Sequence, residues 1–388
     1  MYHVKTMNKI SKIGLAELDD RFAISDTMEH EDAILVRSAK LHDYDFPAEL
    51  KCIARAGAGV NNIPLDRAAD AGIVVFNAPG ANANGVKELT IAALLLASRK
   101  ISQGITWVKE QSAAGADVAA VVEKGKSAYV GPEIMGKTLG VVGLGAIGVL
   151  VANAAAALGM KIVGYDPFLS VTHALNLTPG VEVVDTLPEL YAKADYISLH
   201  LPMNDATRGT LNEAAFAAMK DGVRIVNLAR GELVDTSALK AALDSGKCAA
   251  YVTDFPNSET AAMEGVVAIP HLGASTPESE ENCAVMAAQE LKDYLENGNI
   301  QNSVNLPTLV QPWSGVSRLC IIHRNAPGAI ASITGVLSKD GVNVANMTNK
   351  SKKDYAYTVV DVDSRIGESV ADTIRALDVV LRVRLLNH

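Results

Sequence analysis

Glycines at 143, 145 and 148 stand in the run GLGAIG, between the apolar stretch TLGVV and the small-residue stretch VLVANAAAALG. A strand that turns through the first glycine into a helix can lay a pyrophosphate on the helix N-terminus. The second glycine lets backbone approach the ligand, and the third lets helix and strand pack closely. Ala146 and Ile147 then fall in the first helical turn. Asp166 closes the next apolar run, KIVGYD, at the spacing of about 20 residues that places a carboxylate on ribose hydroxyls. That carboxylate repels a 2′-phosphate, and no Arg stands directly behind Pro167 to offset it. NAD is the expected cofactor.

Three further segments carry acid–base groups. NLARGELVD places Arg230 just after an apolar run, DFPNSE places Asp254 and Glu259 after the next, and IPHLGAST places His271 after another. In an open parallel sheet such strand ends face the ligand crevice where the strand order reverses. An imidazole such as that of His271 is the side chain suited to take a hydroxyl proton. A carboxylate, Glu259 with Glu264 as the alternative, would raise the imidazole pKa and fix its tautomer. Arg230 can hold a carboxylate in a bidentate fork. The chemistry these residues suit is oxidation or reduction of a small hydroxy acid, with Arg230, Glu259 and His271 catalytic.

The elements that must position them alternate. Ala33–Arg37, Cys52–Arg55 and Ile73–Asn77 read as strands, and residues 86–101 as a long apolar helix. Residues 111–135 have little periodicity and are expected to be irregular. Thr138–Val142, Lys161–Tyr165, Tyr196–His200, Arg224–Asn227, Ala249–Thr253 and Val266–Ile269 form a second set of strands separated mostly by helices. A doubly wound parallel sheet is the simplest packing of that order. An amphipathic helix at 278–297 closes the set. Residues 302–315 (NSVNLPTLVQPWSG) read as a linker. Beyond it the order strand, helix, two strands, helix, strand gives a ferredoxin-like βαββαβ module. The fold class is α/β, with two Rossmann-like lobes and this C-terminal module.

Composition narrows the function class. A net charge of −9 without a Lys/Arg block excludes a nucleic-acid footprint. Cys52, Cys248, Cys283 and Cys320 show no CxxC spacing, so reduced thiols and no metal site are expected. The N-terminus has no apolar h-region and no run is long enough to cross a bilayer, so a cytoplasmic protein away from membranes is expected.

At these residues the sequence resembles the D-isomer-specific 2-hydroxyacid dehydrogenases. The likeness runs from VRSA and RAGAGVNNI through GLGAIG, YDP and LHLP to NLARGELVD and PHLGAST. It implies a substrate lobe built from 1–86 and 282–305, an NAD-binding domain at 87–281 inserted between them in sequence, a linker at 306–315 and a regulatory domain at 316–388. It implies the trio Arg230, Glu259 and His271. It also implies cofactor contacts from Gly143, Gly145, Ala146, Ile147, Gly148, Asp166, Thr207, Leu228, Ala229, Arg230, Asp254, His271 and Gly273. RAGAGVNNI is similar to the branch that acts on 3-phosphoglycerate, with Arg55 on the phosphate and backbone N–H groups of Gly57, Ala58 and Gly59 on the carboxylate, beside Arg230 and His271. The C-terminal module resembles an ACT domain, which implies an L-serine effector held by His323, Asn325 and Asn343. A homodimer or homotetramer is expected. Two alternatives stand beside this reading: a reductase for glyoxylate, hydroxypyruvate or 2-oxoglutarate, and a non-catalytic NAD(H)-sensing scaffold.

Overall fold

The computed structural model describes Met1–Asn387. Two units divide the chain: Met1–Asn82 with the chain from Glu280 onward, and Ala83–Ser279.

The first unit holds a five-stranded parallel sheet of β1 (Tyr2–Met7), β2 (Phe22–Ser25), β3 (Ala33–Val36), β4 (Cys52–Arg55) and β5 (Val74–Asn77), in the order β2-β1-β3-β4-β5. β3 is buried on both faces, which is why it reads as an unbroken apolar run. β1 and β2 precede the first expected strand. Their half-buried, partly polar composition hides them from a search for apolar runs. The helix Pro277–Asn297 buries Ala284, Ala287, Ala288 and Leu291 against this sheet, a three- and four-residue recurrence that defines one helical face.

The C-terminal module has its own antiparallel sheet of β13 (Ser317–Arg324), β14 (Val344–Lys352), β15 (Tyr355–Val362) and β16 (Val380–Asn387), in the order β14-β15-β13-β16. One face packs on the helices Ala329–Lys339 and Glu368–Arg375 through Leu319, Ile321, Ile333, Leu337 and Ile374. The other face carries Cys320, Ile322, Tyr357 and Val359 into the same core as Tyr294 and Leu295. Residues 306–315 are therefore an ordered strap against the first unit rather than a spacer. Gln311 donates its backbone N–H to Asn299 Oδ1 and its side-chain amide to Asp361. Arg384 donates to the carbonyls of Tyr294 (2.8 Å) and Leu295 (2.6 Å), near the negative end of the helix Pro277–Asn297. Arg318 and Asp361 form an ion pair with both side chains fully buried. The remaining Arg318 N–H groups go to the carbonyls of Asn297, Gln311 and Pro312.

The second unit is a seven-stranded parallel sheet of β6 (Thr138–Val142), β7 (Lys161–Tyr165), β8 (Glu182–Val183), β9 (Tyr196–Leu199), β10 (Val223–Asn227), β11 (Cys248–Thr253) and β12 (Val266–Ala268). Its order is β12-β11-β10-β9-β6-β7-β8, so the winding reverses between β6 and β9. The expected helix at 86–101 spans Ala83–Ser98 and stops before a second helix, Ile101–Ala113. The irregular segment expected at 111–135 is corrected in part. A helix covers Val118–Gly125 and a 3-10 turn covers Lys126–Tyr129. Asp117 accepts the Ala120 N–H as N-cap, and Trp107 stacks on Tyr129 at 5.5 Å. Neither helix of this hairpin buries a residue, which explains its weak apolar periodicity. Among the described residues all four cysteines are buried and unpaired, and no helix is long and apolar enough to cross a membrane.

The buried ion pair gives a stability test. Asp361→Ala leaves the Arg318 charge without its carboxylate and is expected to cost about 3–5 kcal/mol in urea unfolding. Replacing both partners by Met and Leu is expected to cost much less, and equal losses would contradict the assignment.

Candidate active site

The turn after β6 supplies the first part. Gly143 sits at φ +95°, and a Cβ there would lie 2.6 Å from the carbonyl oxygen of His200, at the end of the neighbouring strand β9. Gly148 faces the Gly143 carbonyl so closely that any side chain would collide with it. The helix Ala146–Ala157 therefore starts hard against the strand it follows. Gly145 is different: the space where its Cβ would stand is open, and it precedes the helix with no side-chain cap. The first-turn N–H groups, including those of Ala146 and Ile147, are those a helix leaves unbonded within itself. Asp166, one residue past β7, reaches back across this turn. Its Oδ2 accepts from Leu144 N–H (2.9 Å) and its Oδ1 from Phe168 N–H (2.8 Å).

The strand ends across the switch point supply the second part. Asn227, fully buried at the end of β10, donates to the Arg230 carbonyl (2.8 Å) and accepts from Ala229 N–H (3.1 Å), shaping the loop that follows Leu228. Asp254 follows β11 at 1% exposure. Its Oδ2 accepts from Gly273 N–H (3.1 Å), while its Oδ1 is buried without a hydrogen-bond partner. Burial pushes its carboxyl upward, partly offset by the Gly273 N–H and the charge of His271.

Phe255 joins the two catalytic candidates. The Arg230 guanidinium lies 5.4 Å from its ring centroid and the His271 ring 4.3 Å from it. The structure thus brings Arg230, Asp254, His271 and Gly273 together. Glu259 is not among them: it is exposed, and neither it nor Glu264 hydrogen-bonds or ion-pairs with His271 among the described residues. The local cause is Asn257, whose Oδ1 accepts from the N–H groups of both Glu259 and Thr260 and winds the chain into a short 3-10 turn. Thr207 occupies a separate exposed turn, donating to the Pro202 carbonyl (2.6 Å).

Two groups escaped the sequence reading. Phe255 was visible only as an aromatic in DFPNSE. His200 lay within the LHLP match but had no chemistry attached to it. Its ring hydrogen-bonds Ser198 Oγ at 2.9 Å, and burial holds it down at about 4, so it stays neutral at physiological pH.

The first unit carries the other expected residues. Arg55 closes β4, donates from Nε to the Arg37 carbonyl (3.1 Å) and lays its guanidinium over Gly57. Gly57 N–H turns back to the Arg55 carbonyl, and Ala58 accepts from Asn77 Nδ2 (2.6 Å), while Gly59 follows in the same loop. In the C-terminal module His323 is 2% exposed, bonded to the Arg324 carbonyl and to Thr358 Oγ1 (both 2.8 Å). Asn325 donates to the Lys353 carbonyl and Asn343 to Asp363.

Comparison with known proteins decides the family. Residues 91–273 match the NAD-binding domain of the D-isomer-specific 2-hydroxyacid dehydrogenases. The D-3-phosphoglycerate dehydrogenase of Bacillus subtilis is 35% identical over 361 residues, covering 88% of this chain and 66% of the relative. The chain belongs to the D-isomer-specific 2-hydroxyacid dehydrogenase family. The D-3-phosphoglycerate dehydrogenase of Mycobacterium tuberculosis is 40% identical over 316 residues, 77% of this chain and 57% of the relative. The chain thus spans between about half and two thirds of the length of these curated relatives. Among solved structures, an NAD⁺-bound 3-phosphoglycerate dehydrogenase from Entamoeba histolytica aligns with a TM-score of 0.59 at 26% identity, over 79% of this chain and 99% of that one. A glyoxylate reductase from Paecilomyes thermophila aligns at 0.64 and 29%, over 78% and 98%. The site fits the family's NAD. Gly145 leaves room for a pyrophosphate, the Asp166 carboxylate beside the glycine turn is a group that can accept from ribose hydroxyls, and the orphaned Asp254 Oδ1 can accept from an amide N–H group.

Proposed function

We propose that the chain oxidises 3-phospho-D-glycerate to 3-phosphohydroxypyruvate with reduction of NAD⁺ to NADH, the first step towards L-serine. The observation that carries the dehydrogenase reading is the convergence of Arg230 and His271 on Phe255, beside the buried Asp254. NAD⁺ supplies the hydride acceptor when bound. His271 takes the hydroxyl proton as the C–H bond at the same carbon breaks, and Arg230 pairs with the substrate carboxylate. Glu259 is proposed as the partner that keeps His271 oriented, and its exposed position means the loop at 257–260 must turn to reach it. Arg55 is proposed to hold the phosphate. The phosphorylated substrate is favoured over glyoxylate by Arg55 in RAGAGVNNI and by relatives of that name at 35–40% identity.

The C-terminal module is proposed as an ACT-type sensor of L-serine. Asn325 and Asn343 stand nearer the surface than His323, whose ring is already engaged within the sheet. We also read the chain as a homo-oligomer in the cytoplasm. Support comes from the helical hairpin at 101–129, where Ile101, Ile105 and Val108 recur on one exposed face.

Steady-state NADH formation with 3-phosphoglycerate against glycerate, D-lactate and 2-hydroxyglutarate tests the reaction, and no preference for the phosphorylated acid would overturn the substrate. His271→Ala is expected to lower kcat by about 10²–10⁴ while leaving NADH binding nearly intact. Arg55→Ala is expected to raise KM more than it lowers kcat. L-Serine in the same assay should slow turnover, and an unchanged rate and melting temperature would reject the sensor. Sedimentation of the full chain should give a dimer or tetramer that Ile105→Glu weakens, whereas a wild-type monomer would reject the pairing surface.

A further inference from the structure

The first unit contains a polar cavity of about 270 Å³ that the proposed reaction does not use. It lies where the helix Pro277–Asn297 meets the turn that follows, and Gln289, Glu290, Asp293, Asn299, Gln301 and Asn302 line it. Glu290 and Asp293 stand three residues apart on one helical face and are the two charged residues in the lining.

Glu290 is the unusual member. It is only 7% exposed, its Oε1 accepts from Asn302 Nδ2 (2.6 Å), and its Oε2 is buried without a hydrogen-bond partner. A buried carboxyl oxygen left in this state is costly unless it finds a hydrogen-bond partner. Three of the four amides in the lining already direct N–H groups at carboxylates, with Gln301 the exception. Asn299 donates to Asp293 Oδ1 (3.1 Å), as does Asn297 (2.7 Å), and Gln289 donates to Glu17 (3.1 Å). Three oxygens of the lining accept no hydrogen bond, Glu290 Oε2, Asp293 Oδ2 and Asn302 Oδ1, of which Glu290 Oε2 is the buried one. None of these has a partner among the described residues.

We propose that this cavity is a binding site for a small primary ammonium group. Such a group brings three N–H donors and one positive charge on a compact head, which matches three open acceptors and two carboxyls. An anion would meet two acids, and an apolar occupant would leave Glu290 Oε2 unbonded. Burial pushes the Glu290 carboxyl up to about 8, with Asn302 partly offsetting it. An arriving cation favours the ionised form, so binding at pH 7 releases a proton from Glu290. The shared chemistry has three sources: ammonium ion, a simple amine, and the amino group of an amino acid.

Isothermal titration of the full chain with methylammonium chloride at pH 7 tests the site. It needs no turnover, so its outcome is independent of the proposed reaction. Saturable binding is expected, with a heat that changes with the ionisation heat of the buffer because a proton leaves. Tetramethylammonium, which has no N–H donor, and potassium at equal ionic strength should neither bind nor compete. Glu290→Gln keeps the shape of the side chain and is expected to weaken binding roughly tenfold or more. Asp293→Asn, on the outer part of the cavity, provides a second variant should the first fail to fold, and it too should weaken binding. Ammonium chloride and glycine run in parallel identify the source, and saturation by either supports the site. Absence of saturable methylammonium binding, equal binding by tetramethylammonium or potassium, or full affinity in both variants would overturn it.

Discussion

The second unit depends on one close approach. The helix Ala146–Ala157 begins so near β6 that only hydrogen fits at Gly148, facing the Gly143 carbonyl. That contact aims the helix N-terminus at the crevice where the sheet reverses between β6 and β9. It also seats the turn against the His200 carbonyl and brings Leu144 N–H to Asp166. The far strand ends at β10 and β11 then carry Arg230 and Asp254 from the same edge of the sheet. A side chain at position 148 would lift the helix from β6 and disturb the turn that holds Leu144 against Asp166.

The parts legible in the sequence are those governed by local rules. The turn at 143–148, Asp166 at the end of β7, and six of the seven parallel strands follow from spacing and apolar runs, while the two exposed residues of β8 carry no such signal. Arg230 and His271 were readable for the same reason, since each directly follows a strand. Glu259 was less so, because its place depends on the Asn257 turn and on residues distant in sequence. The hairpin at 101–129 carried almost no signal, because a helix without buried positions has no apolar stripe to detect.

The C-terminal module illustrates a different limit. Its βαββαβ order was plain from the alternation of runs, but not that its sheet is covered on both faces. The clue was in β13, SRLCIIHR, where seven of eight residues are buried. Arg318 and His323 look like surface residues in such a run. Arg318 is instead neutralised by Asp361, and His323 is bonded at both ring nitrogens. Polar residues with complete internal partners can occupy a core, and only the three-dimensional partners reveal it. Glu290 is the counterexample, a buried acid whose partner set is incomplete.

The central claim is that the strand ends around Asp254 position a hydroxy acid for direct hydride transfer, while His271 takes the proton. It is tested by turning over 3-phospho-D-glycerate deuterated at C2 and locating the label by mass spectrometry and NMR. The account predicts one deuterium at C4 of the nicotinamide in each NADH formed and none released to water. Label recovered in the solvent, or NADH formed without deuterium, would contradict it.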